Sequence, residues 1–121
     1  MTPDRLLSPF IDAIHAKKKI RLRFYSLEDR RVIERTCAPL DYGPSRMAGD
    51  KTNWFHVWDY DSGDGVPHSF RLSPERVAEV IPLADAFDPV ALVTWDVRRA
   101  PWSIPRDWGL ASLPRQSRTE G

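Results

Sequence analysis

The first clear rhythm along the chain is helical. Leu7, Phe10, Ile11 and Ile14 recur at the spacing that gathers side chains on one side of a helix. Ser8-Pro9 offers a capping hydroxyl followed by a residue suited to a first turn, and Lys17, Lys18 and Lys19 put cations where they complement the helix dipole. A short amphipathic helix is predicted over residues 8–18. The rhythm then drops to period two. Ile20, Leu22 and Phe24 alternate with Arg21, Arg23 and Tyr25, the pattern of a half-buried strand with a basic outer face. A polar turn at 27–30 leads to a second strand over 32–38, which Pro39 is expected to end. Residues 41–53, with Gly43, Pro44, Gly49 and Asp50, read as a long loop. A third strand over 54–60 puts Phe55 and Val57 on one face and Trp54, His56 and Trp58 on the other. Asp61 to Gly65 reads as a hairpin turn, because Asp64-Gly65 supplies positive-φ positions. A fourth strand over 68–72, a one-turn element at 73–75 and a fifth strand over 77–81, closed by Pro82, complete the series.

One short helix and five short strands predict a mainly β domain, a small closed or nearly closed barrel, since closure removes adhesive sheet edges. Helical crossovers are absent from the pattern, which argues against a parallel sheet. After residue 85 the character changes. Four prolines and three tryptophans (Trp95, Trp102 and Trp108) appear with little periodicity. Residues 88–112 read as an extended arm whose aromatics dock on the barrel or on a second subunit, and 113–121 as a frayed end. The division expected is a barrel domain over 8–89 and a C-terminal arm over 90–121.

At 121 residues the chain fits one domain, and 11 prolines against 6 glycines favour short strands and turns over long helices. The net charge is only +1, so this is not a protein that coats nucleic acid wholesale. Its distribution is uneven: residues 1–36 hold nine Lys/Arg against five Asp/Glu, whereas residues 37–84 hold four against seven. A basic N-terminal third is either a local anion-attracting surface or an ordinary solvated face. Cys37 is the only cysteine, which excludes an internal disulfide framework and reads as a buried filler. With no signal peptide and no apolar run near the ~20 residues a bilayer needs, a soluble, cytoplasmic protein is expected.

Several residues in this order resemble the WYL domain family. They are Ala13-Ile14 in the helix, Ile20 through Ser26 in the first strand, and Cys37 through Leu40 closing the second. Trp54-Phe55-His56-Val57 stands where the family has Trp-Tyr-Leu; Ser69-Phe70-Arg71-Leu72, Arg76-Val77 through Leu83, and Phe87 follow. The resemblance covers residues 10–89 and not the tryptophan-bearing arm. It implies an Sm-like, SH3-type barrel of five strands. Such domains mostly accompany DNA-binding modules in transcription regulation and phage defence, where they sense nucleotides or single-stranded nucleic acid. Too few residues precede the first helix for such a module, so a free-standing barrel that regulates through a partner is expected. Three departures fall on ligand-side positions: Trp-Phe-His for Trp-Tyr-Leu, His68 where an arginine is usual, and a Leu72–Arg76 spacing two residues longer than usual.

From the residues themselves, Arg21, Arg23 and Tyr25 share one strand face, two cations beside a ring, which suits phosphates and a stacked base. Arg71 alternates with Phe70 and has the fork geometry for a phosphate; a surface ion pair is the competing reading. His56 and His68 lie on strands joined by the hairpin and are candidates for a titrating pair. With Asp59 and Asp61 they offer metal-type ligands, but Phe70 stands where a calcium loop needs glutamate, and neither metal nor cofactor is expected. The resemblance adds Ser26, Trp54 and Arg76 to the ligand-binding set. No nucleophile elbow, phosphate loop or zinc-protease motif is present, so a non-catalytic module is expected. The favoured reading is a sensor of nucleotide or single-stranded nucleic acid. The alternative is a protein-interaction adaptor without a small ligand, using Trp95, Trp102 and Trp108 as interface anchors, as a homodimer or with a separate regulatory protein.

Overall fold

Apolar residues at positions 6, 10, 13 and 14 wind onto one side of a helix, and that stripe decides where the helix begins. The computed structural model describes residues 2–44, 51–61, 68–93, 102–106 and 108. In it α1 spans Asp4–Ala16 and buries Leu6, Phe10, Ala13 and Ile14. The helix therefore starts one turn before the expected Ser8 cap. Pro3 occupies the N-cap, and Pro9 lies inside the helix, where its missing N–H forgoes one backbone bond. Burying Leu6, which contributes roughly 1.5–3 kcal/mol, offsets much of the roughly 3 kcal/mol that an interior proline costs. Lys17 ends α1 in the left-handed conformation (φ 58), returning its N–H to Ile14 O at 3.3 Å.

Five antiparallel strands follow: β1 (Lys18–Ser26), β2 (Arg31–Pro44), β3 (Asn53–Asp59), β4 (His68–Leu72) and β5 (Val77–Ala86). They form one sheet in the order β4-β3-β2-β1-β5. Ile20, Leu22 and Phe24 of β1 face the core with Cys37, Phe55, Val57, Leu72, Val77 and Val80, and α1 packs across them through Phe10, edge-on to Phe55 at 4.8 Å.

The expected closed barrel is corrected in one respect: no ladder joins β4 to β5 among the described residues, so the sheet is open in its hydrogen bonding. It is nevertheless coiled. A flat five-stranded sheet would hold its outer strands roughly 19 Å apart. Here Leu72 and Val77 are bridged by Ser73 and a single 3-10 turn, Pro74–Arg76, a path of roughly 14 Å. Phe70 of β4 accordingly reaches Phe24 of β1, ring centroids 5.9 Å apart.

Two prolines expected to end strands do not. Pro39 lies within β2 and Pro82 within β5. The β1 ladder reaches only Cys37, so β2 has a free side at Pro39, and the register slips just beyond it, between Pro39 and Asp41. β5 is an edge strand bonded to β1 alone. Both positions tolerate the missing donor. As a result residues 41–44 are strand rather than loop, and Asn53 already belongs to β3; residues 45–50 of that loop, the 62–67 hairpin tip, Trp95 and 113–121 lie outside the described residues.

Beyond β5 the chain is not purely extended. Pro89–Leu92 forms one helical turn, α2, capped by Asp88, whose Oδ1 accepts from Val90 N at 3.1 Å. Residues 102–106 return to the domain, and Trp108 enters the core at 3% exposure. No described helix is long and apolar enough to cross a membrane.

Candidate functional site

Alternation along β1 turns Arg21, Arg23 and Tyr25 to the outer face, opposite Thr36, Glu34 and Val32 of β2. Glu79 of β5 stands opposite Arg23 on the other side. Arg23 is thus braced between two carboxylates, Glu34 at 3.4 Å and Glu79 at 3.1 Å. The guanidinium expected at the ligand is thus paired within the sheet, by side chains about half exposed. Arg21 has no ion pair among the described residues, and Tyr25 is 41% exposed. Ser26 points inward. Its Oγ donates to Asp29 Oδ2 at 3.0 Å and accepts from Asp29 N at 3.1 Å, so it shapes the β1–β2 turn. Arg76 donates its Nε–H to Tyr25 O at 3.1 Å and pins the 3-10 turn to β1.

A second group forms on β3 and β4. Trp54, His56 and Trp58 alternate with the buried Phe55, Val57 and Asp59. Arg71 lies directly opposite His56, and Ser69 opposite Trp58, so these residues share the outward face. The Arg71 guanidinium stacks over the Trp54 ring, 4.8 Å from its centroid, and no carboxylate among the described residues pairs with it. His56 Nε2 lies 3.0 Å from Gly43 O, which makes it the donor in that bond. The Trp54 indole nitrogen is buried and has no hydrogen-bond partner among the described residues.

His68 is in register with Asp59, whereas the partner of His56 is Arg71, so the two histidines are not cross-strand partners. The two aspartates are already engaged: Asp59 pairs with Arg35 at 2.8 Å and accepts from Asp61 N at 2.8 Å, while Asp61 Oδ2 accepts from Thr36 N at 2.7 Å. No group of three or more metal-ligating side chains occurs among the described residues. Cys37, in register with Asp59, is fully buried, and burial, with the negative charge of Asp59 and Asp61, drives its thiol pKa far up.

The expectation that all these groups converge on one spot is corrected by topology. Three strand spacings of ~4.8 Å separate β1 from β4, and about five residues along β2 separate the levels of Arg21 and Arg71. Arg21 and Arg71 are therefore not cross-strand neighbours on the sheet. The β3–β4 face carries the only compact cation–aromatic set among the expected ligand-binding residues.

Sequence reasoning missed the residues beside that face. Asp41 is in register with His56 and Gly43 with Trp54. Asp41 binds the C-terminal segment: its carboxylate accepts from Ser103 N, Ile104 N and Arg106 Nη2 at 2.9, 3.0 and 2.9 Å. Arg106 lies against the rings of both Trp102 and Trp108, 3.9 and 4.5 Å from their centroids, and the two rings meet each other edge-on at 5.4 Å. Burial lowers its pKa to about 10, with Asp41 opposing the shift. Trp108 Nε1 donates to Ile14 O at 2.8 Å, and its ring meets Phe87 at 5.5 Å. Trp102 and Trp108 thus pack on their own domain. The spacing of Trp102, Arg106 and Trp108 was the available signal, and it points to this cluster only once Asp41 is known to face it.

The fold so far described is a coiled, five-stranded antiparallel sheet covered by one helix and one returning C-terminal segment. No protein-family model and no curated protein matches the chain. Among solved structures, proteasome accessory factor B/C (PafBC) of Arthrobacter aurescens is similar, with a TM-score of 0.49 at 22% identity over 84% of this chain. The aligned region spans 14% of that protein's chain.

Proposed function

We propose that this chain is a non-catalytic regulatory module of the WYL type that binds a nucleotide or single-stranded nucleic acid on its β3–β4 face. The observation that carries the reading is the Arg71–Trp54 pair: a ring stacked under a guanidinium that no carboxylate among the described residues pairs with. Such a pair offers a base-stacking platform and a phosphate fork on the same strand ladder. His56, directly across from Arg71, adds a polar ring to that face. The helix, the five antiparallel strands and their coiling support an Sm-like, SH3-type identity for the fold. The adaptor reading draws no comparable support, because Trp102 and Trp108 pack on their own domain.

Titration of labelled single-stranded DNA, single-stranded RNA, mononucleotides and cyclic nucleotides at fixed ionic strength tests the reading. Arg71→Ala is expected to weaken binding by about 1–3 kcal/mol, the scale of one stacked or charge-assisted contact. Arg23→Ala is expected to leave affinity within about twofold, since exposed, internally paired charges contribute little. Equal affinity of wild type and Arg71→Ala for every ligand bound removes the β3–β4 face from the account.

A further inference from the structure

The C-terminal segment 102–108 meets the sheet chiefly at one side chain. Both oxygens of the Asp41 carboxylate are taken, one by Ser103 N and the other by Ile104 N and Arg106. Arg106 in turn leaves no nitrogen idle. Its Nε donates to Ile104 O at 3.0 Å and its Nη1 to Leu40 O, while the rings of Trp102 and Trp108 both lie against it. The place it grips is the irregular point of β2. Register slips between Pro39 and Asp41, so the Leu40 carbonyl is turned out of the regular ladder and is free to accept from elsewhere.

The same short stretch of β2 holds the candidate site. Asp41 is opposite His56, Gly43 is opposite Trp54, and Gly43 O receives the His56 Nε2 bond. Gly43 also lies against the returning segment so closely that a Cβ there would overlap Ser103 Oγ. Absence of a side chain at Gly43 is therefore what lets the segment sit down. The C-terminal segment holds the Asp41 side chain and lies against Gly43 on the side of the sheet that these two residues share with His56 and Trp54.

Resting on the proposed β3–β4 site, we infer that the C-terminal segment is a positioning strap, with Arg106 and Asp41 as its latch, and that strap docking and ligand binding favour one another. Docked, the strap fixes the β2 bulge and with it Gly43 O, so His56 and Trp54 are held ready. Undocked, the bulge relaxes, and a ligand must order those rings as it binds. Coupling of this kind is reciprocal: whatever factor the strap adds to ligand affinity, the ligand adds to strap docking. A partner that drew the strap away would turn the site down without touching it.

The full-length chain tests this with two independent ways of lifting the strap. Arg106→Gln removes the latch charge. Gly43→Ala pushes Ser103 away while leaving the latch intact, and Ser103→Gly added to Gly43→Ala restores the room. Two readouts are followed: affinity for a labelled single-stranded oligonucleotide, and the NMR signals of the His56 ring and the Trp54 indole N–H without ligand. Arg106→Gln and Gly43→Ala are expected to weaken binding on the order of tenfold, within the usual range of coupled sites. Both should shift the two ring signals, leave the Tyr25 and Leu27 amides in place, and let the double variant return toward wild type. Ring signals and affinity both unmoved in Gly43→Ala overturn the strap, even if Arg106→Gln fails to fold. A wild-type chain that binds no oligonucleotide, yet whose ring signals follow the strap, upholds the positioning link and overturns the ligand reading instead.

Discussion

Arg23 and Arg71 stand on the same face of one sheet, yet their neighbours give them different roles. Arg23 sits between Glu34 and Glu79, side chains about half exposed, and such pairs contribute well under about 1 kcal/mol while still neutralising the charge. Arg71 stacks on a ring and has no carboxylate partner among the described residues. Strand alternation in the sequence shows that both point outward. It does not show that register sets two carboxylates beside Arg23, because those partners lie on strands far away in the chain. Cys37 gives a sharper prediction at this scale. Its thiol is fully buried next to Asp59, and burial is the larger cause of its raised pKa. A group whose folded-state pKa lies above its ordinary value of 9.0 favours the folded state at all pH values below that. The advantage drains away as pH climbs past 9.0, because the unfolded chain then releases a proton that the folded chain keeps. Thermal melts should therefore fall more steeply between pH 8 and about 10 in wild type than in Cys37→Ala. Reaction of Cys37 with a disulfide reagent at pH 8 should proceed at the rate of unfolding, and rapid labelling of the folded chain would show that the thiol is not sealed.

Elements were legible where packing follows local pattern and illegible where it follows tertiary context. β1, β3 and β4 emerge from period-two alternation because each has one face on the core and one in solvent. Pro39 and Pro82 looked like stops, since proline cannot donate to a ladder, but each stands where its strand has a free side, which only the strand order reveals. Ser8-Pro9 looked like a helix start because its local chemistry is right; Leu6, one turn earlier, shifts the boundary by being buried. The same stripe predicts where the helix is sensitive. Phe10 is fully buried and packs edge-on to Phe55, while Leu7, on the flank, is only half-buried. Phe10→Ala is expected to cost about 3–5 kcal/mol, and Leu7→Ala distinctly less, in urea denaturation with an unchanged m-value. Equal losses at the two positions would mean that α1 does not rest on the sheet through Phe10.

At the scale of the whole molecule, the expected division into a barrel and a separate arm meets one side chain that belongs to both. Trp108 lies well inside the segment assigned to the arm, yet it is 3% exposed, donates to Ile14 O of α1 and packs against Phe87 and Trp102. Nothing in the local sequence distinguishes such a tryptophan from an interface anchor, because the groove that receives it is assembled from α1, the end of β5 and the strap itself. Its position has a thermodynamic consequence. If the strap were an appendage, unfolding would show an early loss of tryptophan signal followed by collapse of the sheet. With Trp108 in the core cluster, strap, helix and sheet should melt together, near-ultraviolet and far-ultraviolet dichroism reporting coincident transitions. Trp108→Ala is then expected to destabilise the entire domain by about 3–5 kcal/mol, the usual cost of emptying a large aromatic site. Hydrogen exchange should locate the damage first at the C-terminal turn of α1, where the indole no longer occupies its place beside the Ile14 carbonyl. A Trp108→Ala chain that melts at the wild-type temperature, with protection at α1 unchanged, would return the strap to the status of an arm and separate it from the core after all.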